Sequence, residues 1–495
     1  MSDQRTPNSG IGSINRSIPF NFAMNFLLRL SGTICAAVSY PFAFRIIGEA
    51  GMGKAAFAAS IGSFFLLIAS MGVSTYGIRE CARVRDDPAA LRQTARELLC
   101  LQFLMTLISE VLLLAAVIAV PRLWENRILF LIQGGQLLFH ALDTEWLFAA
   151  EERYAFLTVR SFAVKLAAVV LILLFVRRPE DYRLYALITV SAAVLGYLWN
   201  LMGAGQRLQG KADKLRPLRH FRASSVFFLE SAAVTVYTVL DSVLLGFLKG
   251  DTAVGAYDAA AKIRVVLVMV IGSLCGVLMP RFSYYLSTKQ EERFRQGILR
   301  SGSLVFLVTL PLMAYFLLMG ESCLMVLYGS VSQGTLWSLR LLLPTVFLVG
   351  CSNTTGNQLL IPMGRERIVM LSTVVGAVVD LIADLLLIPP MGAAGAALGT
   401  TIAEAAVLAT QAVTVRKLRI PLVNGKSALR TLIVTIIASV ELFLLRLAPL
   451  PALGRALLGA VLFFGTVYGT LLALKDPVLT EMKDALGDRL RRRRT

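Results

Sequence analysis

Long apolar runs alternate with short polar breaks along the whole chain. The runs lie near residues 20–44, 54–76, 98–120, 128–150, 156–176, 184–204, 223–246, 255–279, 301–320, 336–360, 368–388, 393–414, 430–447 and 454–474. At 1.5 Å per helical residue, runs of about 20 residues match the roughly 30 Å of hydrocarbon in a bilayer. Backbone in lipid must bond to itself, and these runs lack the short period-two alternation of a barrel strand. The pattern predicts an all-α polytopic membrane protein with fourteen transmembrane helices. The first run follows a polar tail (residues 1–19) and has no small-residue cleavage site, so it is read as a retained span and not a removed signal.

Composition agrees. Hydrophobic residues make up 56% of the 495 positions and charged residues only 16%, against roughly 25% charged in a soluble domain. The net charge of +18 would point to nucleic acid in a soluble protein, but here its distribution sets orientation instead. Thirty-three of the 49 Lys and Arg fall in the terminal tails and the loops after even-numbered spans, and ten fall on the other side. The basic side is cytoplasmic by the positive-inside rule, which places both termini inside and calls for an even number of spans. The six Cys form no Cys-x-x-Cys pair and read as small buried hydrophobes. His140 and His220 are far apart, so no metal site is expected.

A weak internal repeat subdivides the chain. Gly53-Lys-Ala-Ala-Phe-Ala-Ala59 opens span 2 and Gly255-Ala-Tyr-Asp-Ala-Ala-Ala261 opens span 8, an offset of 202 that also relates Arg79 to Arg281. Six spans separate the copies, so both halves run the same way through the membrane, about a pseudo-two-fold axis along its normal. The expected organisation is a six-helix bundle over 20–204, a linker over 205–222, a second bundle over 223–414, two further helices within 415–474 and a basic tail over 475–495. The loops leave no room for a soluble catalytic domain and no P-loop motif is present, which argues against an ATPase, a glycosyltransferase or a polymerase.

Five stretches carry a family resemblance: Gly77-Ile-Arg-Glu-Cys-Ala-Arg83; Asp143-Thr-Glu-Trp-Leu-Phe-Ala-Ala-Glu-Glu152; Leu240-Asp-Ser-Val-Leu-Leu-Gly246 with Asp251-Thr-Ala-Val-Gly-Ala-Tyr257; Asn357-Gln-Leu-Leu-Ile-Pro-Met-Gly364; and Gly392-Ala-Ala-Gly-Ala-Ala-Leu-Gly399 with Glu404. Across residues 15 to about 475 the chain resembles the bacterial polysaccharide biosynthesis flippases, the Wzx-type O-antigen repeat-unit exporters. These belong to the superfamily of multidrug and toxin extruders and lipid II flippases. The resemblance implies two bundles around a cavity that opens alternately to each face of the cytoplasmic membrane. It also implies a cargo of oligosaccharide joined through pyrophosphate to undecaprenol, and work alongside a polysaccharide polymerase and chain-length machinery. The chain is expected to be a monomer, to contact anionic lipids, and to need no cofactor beyond a proton or sodium gradient or the membrane potential. A lipid II flippase and a cation-coupled multidrug exporter are the alternatives.

Charge inside hydrocarbon costs several kcal/mol unless paired or hydrated, so intramembrane charges are the candidate functional residues. Arg29 in span 1 and Lys262 and Arg264 in span 8 form the expected pyrophosphate site, since guanidinium and ammonium groups suit phosphate oxygens. Lys262 has a second reading as an i,i+4 partner of Asp258. Asp380 and Asp384 share one face of span 11 and, with Glu404, form the expected proton or cation site, or else pair with Arg340. Glu110, Glu230, Asp258 and Arg340 are further cavity candidates, and Glu441 is read as a partner of Arg446. Arg79 and Arg281 either anchor spans 2 and 8 to lipid phosphates or act in closure through Glu80 or Glu151. Ser352 to Gln358 form a polar patch that marks either a wet vestibule or interhelical hydrogen bonds.

Overall fold

The computed structural model describes residues 18–210, 214–418 and 420–480. Every regular element among them is helical. The first, α1 (Ile18–Ser70), runs 53 residues and is interrupted only at Gly48, whose φ of 78° is open to glycine at little cost. The expected loop between spans 1 and 2 is therefore a one-residue kink. After α2 (Val73–Arg83), Asp87 caps α3 (Pro88–Ala119) by accepting from the Ala89 and Ala90 amides, with Pro88 in the first turn.

The predicted span 128–150 is broken in two. α4 (Pro121–Glu125) leads into α5 (Arg127–His140), the chain turns through Ala141–Thr144, and α6 (Glu145–Ala150) restarts where Asp143 accepts from the Glu145 amide. α7 (Tyr154–Phe175) and α8 (Tyr182–Leu208) complete the first half. The second half comprises α9 (Phe221–Leu248), α10 (Asp251–Ser287), α11 (Glu291–Tyr328), α12 (Gln333–Ser352), α13 (Glu366–Met391) and α14 (Ala393–Leu418), followed by α15 (Gly425–Leu447) and α16 (Ala452–Ala473). α12 continues into a π-helical turn, Asn353–Leu360.

Among the described residues, twelve helical stretches are long and apolar enough to cross a membrane. Two places separate that number from the predicted fourteen. The stretch containing Gly48 counts once, and α5, at 14 residues, falls short of a crossing.

α1, α3, α5, α7 and α8 pack on one another, as do α9, α10, α12, α13 and α14, while α15 and α16 pack on α11. The surface is apolar: Ile118, Met202 and Val461 are each more than 70% exposed. Such a surface requires lipid as solvent, and polar groups collect inside, where they bond to one another. The polar turn after α12 shows how. Gln358 donates to the Cys275 carbonyl and accepts from Ser301, and Thr355 donates to Gln411. Much of that patch is thus interhelical bonding, with Asn357 left exposed.

The two halves are sealed together at one end. A β-carbon on Gly53 would fall within the van der Waals shell of the Asp251 carbonyl oxygen, and one on Gly255 within that of the Glu49 carbonyl oxygen. The repeat seen in the sequence is thus a reciprocal backbone contact, self-complementary in the manner of a two-fold interface. Around it Arg122 pairs with Asp251 at 2.6 Å, Glu49 accepts from Ser332 at 2.9 Å, and Arg45 reaches across to donate to the Leu327 carbonyl at the end of α11.

Candidate functional site

Between the halves lies a cavity of about 380 Å³ bordered by α1, α5, α8, α9 and α10. Its one ion pair is on α10, where Lys262 Nζ stands 3.3 Å from Asp258 Oδ1 and 5.5 Å from the centre of the Tyr40 ring. Lys262 is half-exposed, its side chain held between that ring and the carboxylate. The rest of the lining carries hydroxyl and amide groups from Ser60, Ser63, Gln133, Thr189 and Thr238. One turn of Coulomb pairing thus satisfies Lys262 while leaving its remaining donors open to the cavity.

Of the three cations expected to act together, Lys262 and Arg264 turn to different partners. Positions 262 and 264 are two apart on a helix and so face different ways. Arg264 turns into the second half, donating to Glu404 Oε1 at 2.7 Å and to Thr345 Oγ1 at 2.8 Å. It thereby joins the two groups that were expected to be distinct sites. The side chain of Arg29 and the basic tail from residue 481 lie outside the described residues. Near the start of α1, a cation is supplied by Lys165 of α7, which donates to Ser31 at 3.3 Å and has no carboxylate of the described residues within ion-pair distance. Its neighbour Arg160 is held by Glu145 at 2.8 Å. Both were legible as intramembrane charges.

Removing the guanidinium from the Arg264–Glu404 pair would leave a buried carboxylate alone. Arg264→Ala is expected to destabilise the protein by about 2 kcal/mol, with Arg264→Ala/Glu404→Ala recovering most of that loss. Thermal unfolding in detergent measures both.

The acidic site assembles differently from expectation. Asp380 and Asp384 on α13 meet Asp241 on α9, with one oxygen from each lying within 4.8 Å of the others. All three are at most 3% exposed. Asp241 Oδ2 accepts from Tyr257 on α10 and, at 2.9 Å, from Thr400 on α14. Its Oδ1 and all four oxygens of Asp380 and Asp384 accept from no N–H or hydroxyl donor among the described residues. Arg340 does not pair with them; it lies over the Trp337 ring at 5.2 Å. Glu404 stands with Arg264 and not as a member of this cluster. Asp241 was the residue missed. It lies within the predicted span 223–246, and α10, α13 and α14 packed against α9 bury it.

Three carboxylates in so small a volume need shared protons or a bound cation to offset their mutual repulsion. Oxygen-only ligands suit a hard cation such as sodium or a proton; they do not suit a soft transition metal.

Other candidates are dispersed. Glu110 is half-buried beside Gly134, Glu230 is exposed, and Arg446 pairs with Glu321 at 3.0 Å and not with Glu441. Arg79 stacks on Phe227 and Tyr76, while Arg281 donates to Tyr285 at 2.7 Å. Glu80 bonds Arg83, and Glu151 bonds Arg207, so neither meets Arg79.

Comparison with known proteins fixes the family. The family described as "Polysaccharide biosynthesis protein" matches residues 20–286, more than half of the chain. The chain belongs to the polysaccharide biosynthesis protein family. It is a membrane transporter of that family and not an enzyme. A second family, MatE, matches residues 227–386. A relative in Escherichia coli (strain K12), named "Putative O-antigen transporter", is 23% identical over 69% of this chain and 81% of its own length. Among solved structures, the lipid II flippase MurJ in an inward closed conformation superposes with a TM-score of 0.71 at 14% identity, covering 92% of this chain and 99% of that one. An inward-facing multidrug resistance MATE family transporter of the MOP superfamily gives 0.57, also at 14% identity, over 82% of this chain and 96% of its own. These structural likenesses are of fold, and the family member described here shares that fold with proteins of differing cargo.

Proposed function

We propose that this protein is a flippase that moves an oligosaccharide, joined through pyrophosphate to undecaprenol, from the inner to the outer leaflet of the bacterial cytoplasmic membrane. The observation that carries this reading is the cavity between the halves, which sets hydroxyl and amide groups among small apolar side chains and holds the half-exposed ammonium of Lys262 within a molecule whose exterior is apolar. A multidrug pocket would be largely apolar. The charge asymmetry of the loops supports placing both termini in the cytoplasm, and the short loops support a role confined to transport. In this reading Lys262 and Lys165 hold phosphate oxygens, the sugars occupy the wet cavity, and the polyprenyl tail stays in the bilayer.

Alternating access supplies the motion. The Gly53–Gly255 seal closes one end, and its parting opens the other route. The Asp241–Asp380–Asp384 cluster takes up a proton or sodium ion and ties the packing of α9 against α13 to the cation gradient.

Two measurements test this. Deleting the gene should cause a polyprenyl-pyrophosphate-linked oligosaccharide to accumulate on the inner leaflet; accumulation of a peptidoglycan precursor instead would assign lipid II as cargo and overturn the proposal. Lys262→Ala should lower surface polysaccharide at least about tenfold at unchanged protein level, the loss of one charge-assisted phosphate contact, while Lys262→Arg keeps most of it. Wild-type export from Lys262→Ala would remove the headgroup assignment.

A further inference from the structure

We infer that the wall formed by α5, α8 and the second part of α1 is a carbohydrate subsite, distinct from the cationic headgroup site, that recognises neutral sugar residues of the cargo. This rests on the flippase reading above and assigns a second half to its binding site.

The cavity that holds Lys262 continues into a further space of about 280 Å³ through shared lining residues, Ala59, Ser63, Gln133 and Thr189. The added wall contributes Gln136 and carries no ionisable side chain. Gln133 is central to both spaces. Its amide lies against Gly62 of α1, where a β-carbon would come within 3.0 Å of Oε1, so the absent side chain leaves that position to the amide. The amide makes no hydrogen bond to any described residue, so both its donor and its acceptor remain available. Thr189 and Ser63 donate to carbonyls of their own helices, at 3.0 Å and 2.8 Å, and so turn hydroxyl lone pairs outward as acceptors. Tyr185, one turn before Thr189 on α8, borders the first space beside Lys262 and Asp258.

The added wall sets uncharged donors and acceptors among aliphatic side chains, with the aromatic residue Tyr185 on the side of the first space. Sugar hydroxyls both donate and accept, and a pyranose ring presents C–H groups that lie well on an aromatic face. A phosphate would find no cation there, and an acyl chain would leave the amide unsatisfied. The cavity volume is in the range of small-ligand sites. Lys262 and Asp258 border the first space, so a ligand with phosphate at Lys262 places its first sugars against Gln133 and Thr189.

The test uses purified full-length protein and two probes, undecaprenyl pyrophosphate and the same lipid bearing a trisaccharide, with affinities read by native mass spectrometry. The wild type is expected to bind the glycosylated lipid more tightly. Gln133→Leu/Thr189→Val should lower that affinity about tenfold, the size of two neutral hydrogen bonds, and leave the affinity for the bare lipid unchanged, which also shows that the variant is folded. Lys262→Ala should weaken both probes. If the double variant does not insert, the single changes Gln133→Leu and Gln136→Leu are read in the same way. A variant that keeps the full preference for the glycosylated lipid overturns the subsite and leaves the flippase reading standing. A wild type that binds neither lipid overturns the flippase reading and the subsite with it.

Discussion

Gly255→Val is expected to abolish polysaccharide export while the protein remains in the membrane at its normal level. Gly255 meets the Glu49 carbonyl and Gly53 meets the Asp251 carbonyl, in each case backbone against backbone with no space for a β-carbon. A flexible side chain could move aside, but two helix backbones cannot without parting α1 from α10. Overpacking of this kind costs about 3 kcal/mol, which shifts the balance between sealed and parted states by roughly 100-fold. The parted state relieves the clash, so folding is spared and cycling is lost. Gly53→Val should behave alike, since it interrupts the other half of the same reciprocal contact. A cysteine introduced by Ser332→Cys, beside Glu49 in the sealed state, reports the shift through labelling by an impermeant maleimide. Labelling should rise from slow in the wild-type background to fast in Gly255→Val. Wild-type export from Gly255→Val would show that the contact is not part of the transport cycle.

Asp384→Asn is expected to uncouple the transporter. Asp384 is fully buried, and neither of its oxygens accepts from an N–H or hydroxyl donor among the described residues. With Asp380 and Asp241 it forms a site in which a cation or shared protons must offset the charge. A cation that binds only the folded protein stabilises it by about 2.7 kcal/mol at a hundred times its dissociation constant. The wild-type unfolding temperature should therefore rise when sodium replaces N-methylglucamine, or when pH falls if protons serve instead. In Asp384→Asn that response should vanish, and transport into vesicles should fall about 100-fold and ignore the gradient. The variant should also be more stable than the wild type without the cation, because one buried charge is gone. An unfolding temperature that does not respond to sodium or pH in the wild type would remove the coupling site.

The two predictions differ in how visible their residues were. Gly53 and Gly255 stood out as opening matched segments, although nothing in one dimension showed that each faces the other half's backbone. Asp380 and Asp384 stood out because four residues on one helix share a face. Asp241 did not, because its environment depends on the carboxylates of α13 and on hydroxyls from α10 and α14, with Thr400 lying 159 residues away. Arg264 was legible as a costly intramembrane charge, but its partner Glu404 sits on a helix 140 residues on, so a headgroup role and a structural one looked the same. The predicted span 128–150 hid a break because its residues are apolar on both sides of the turn, and only the Asp143–Glu145 contact reveals where the helix restarts.

The sequence by itself determined that this chain lives in lipid, that its spans are helical, and most of the charged side chains that lie within the hydrocarbon, Asp241 excepted. Those properties follow from hydropathy and backbone bonding, which are local and accumulate residue by residue. The tertiary structure decided which charges meet, which stay open to the cavity, and where two backbones touch without room for a side chain. Such pairings depend on helix rotation and crossing, and a turn of about 100° per residue is enough to send neighbouring cations such as Lys262 and Arg264 to different partners.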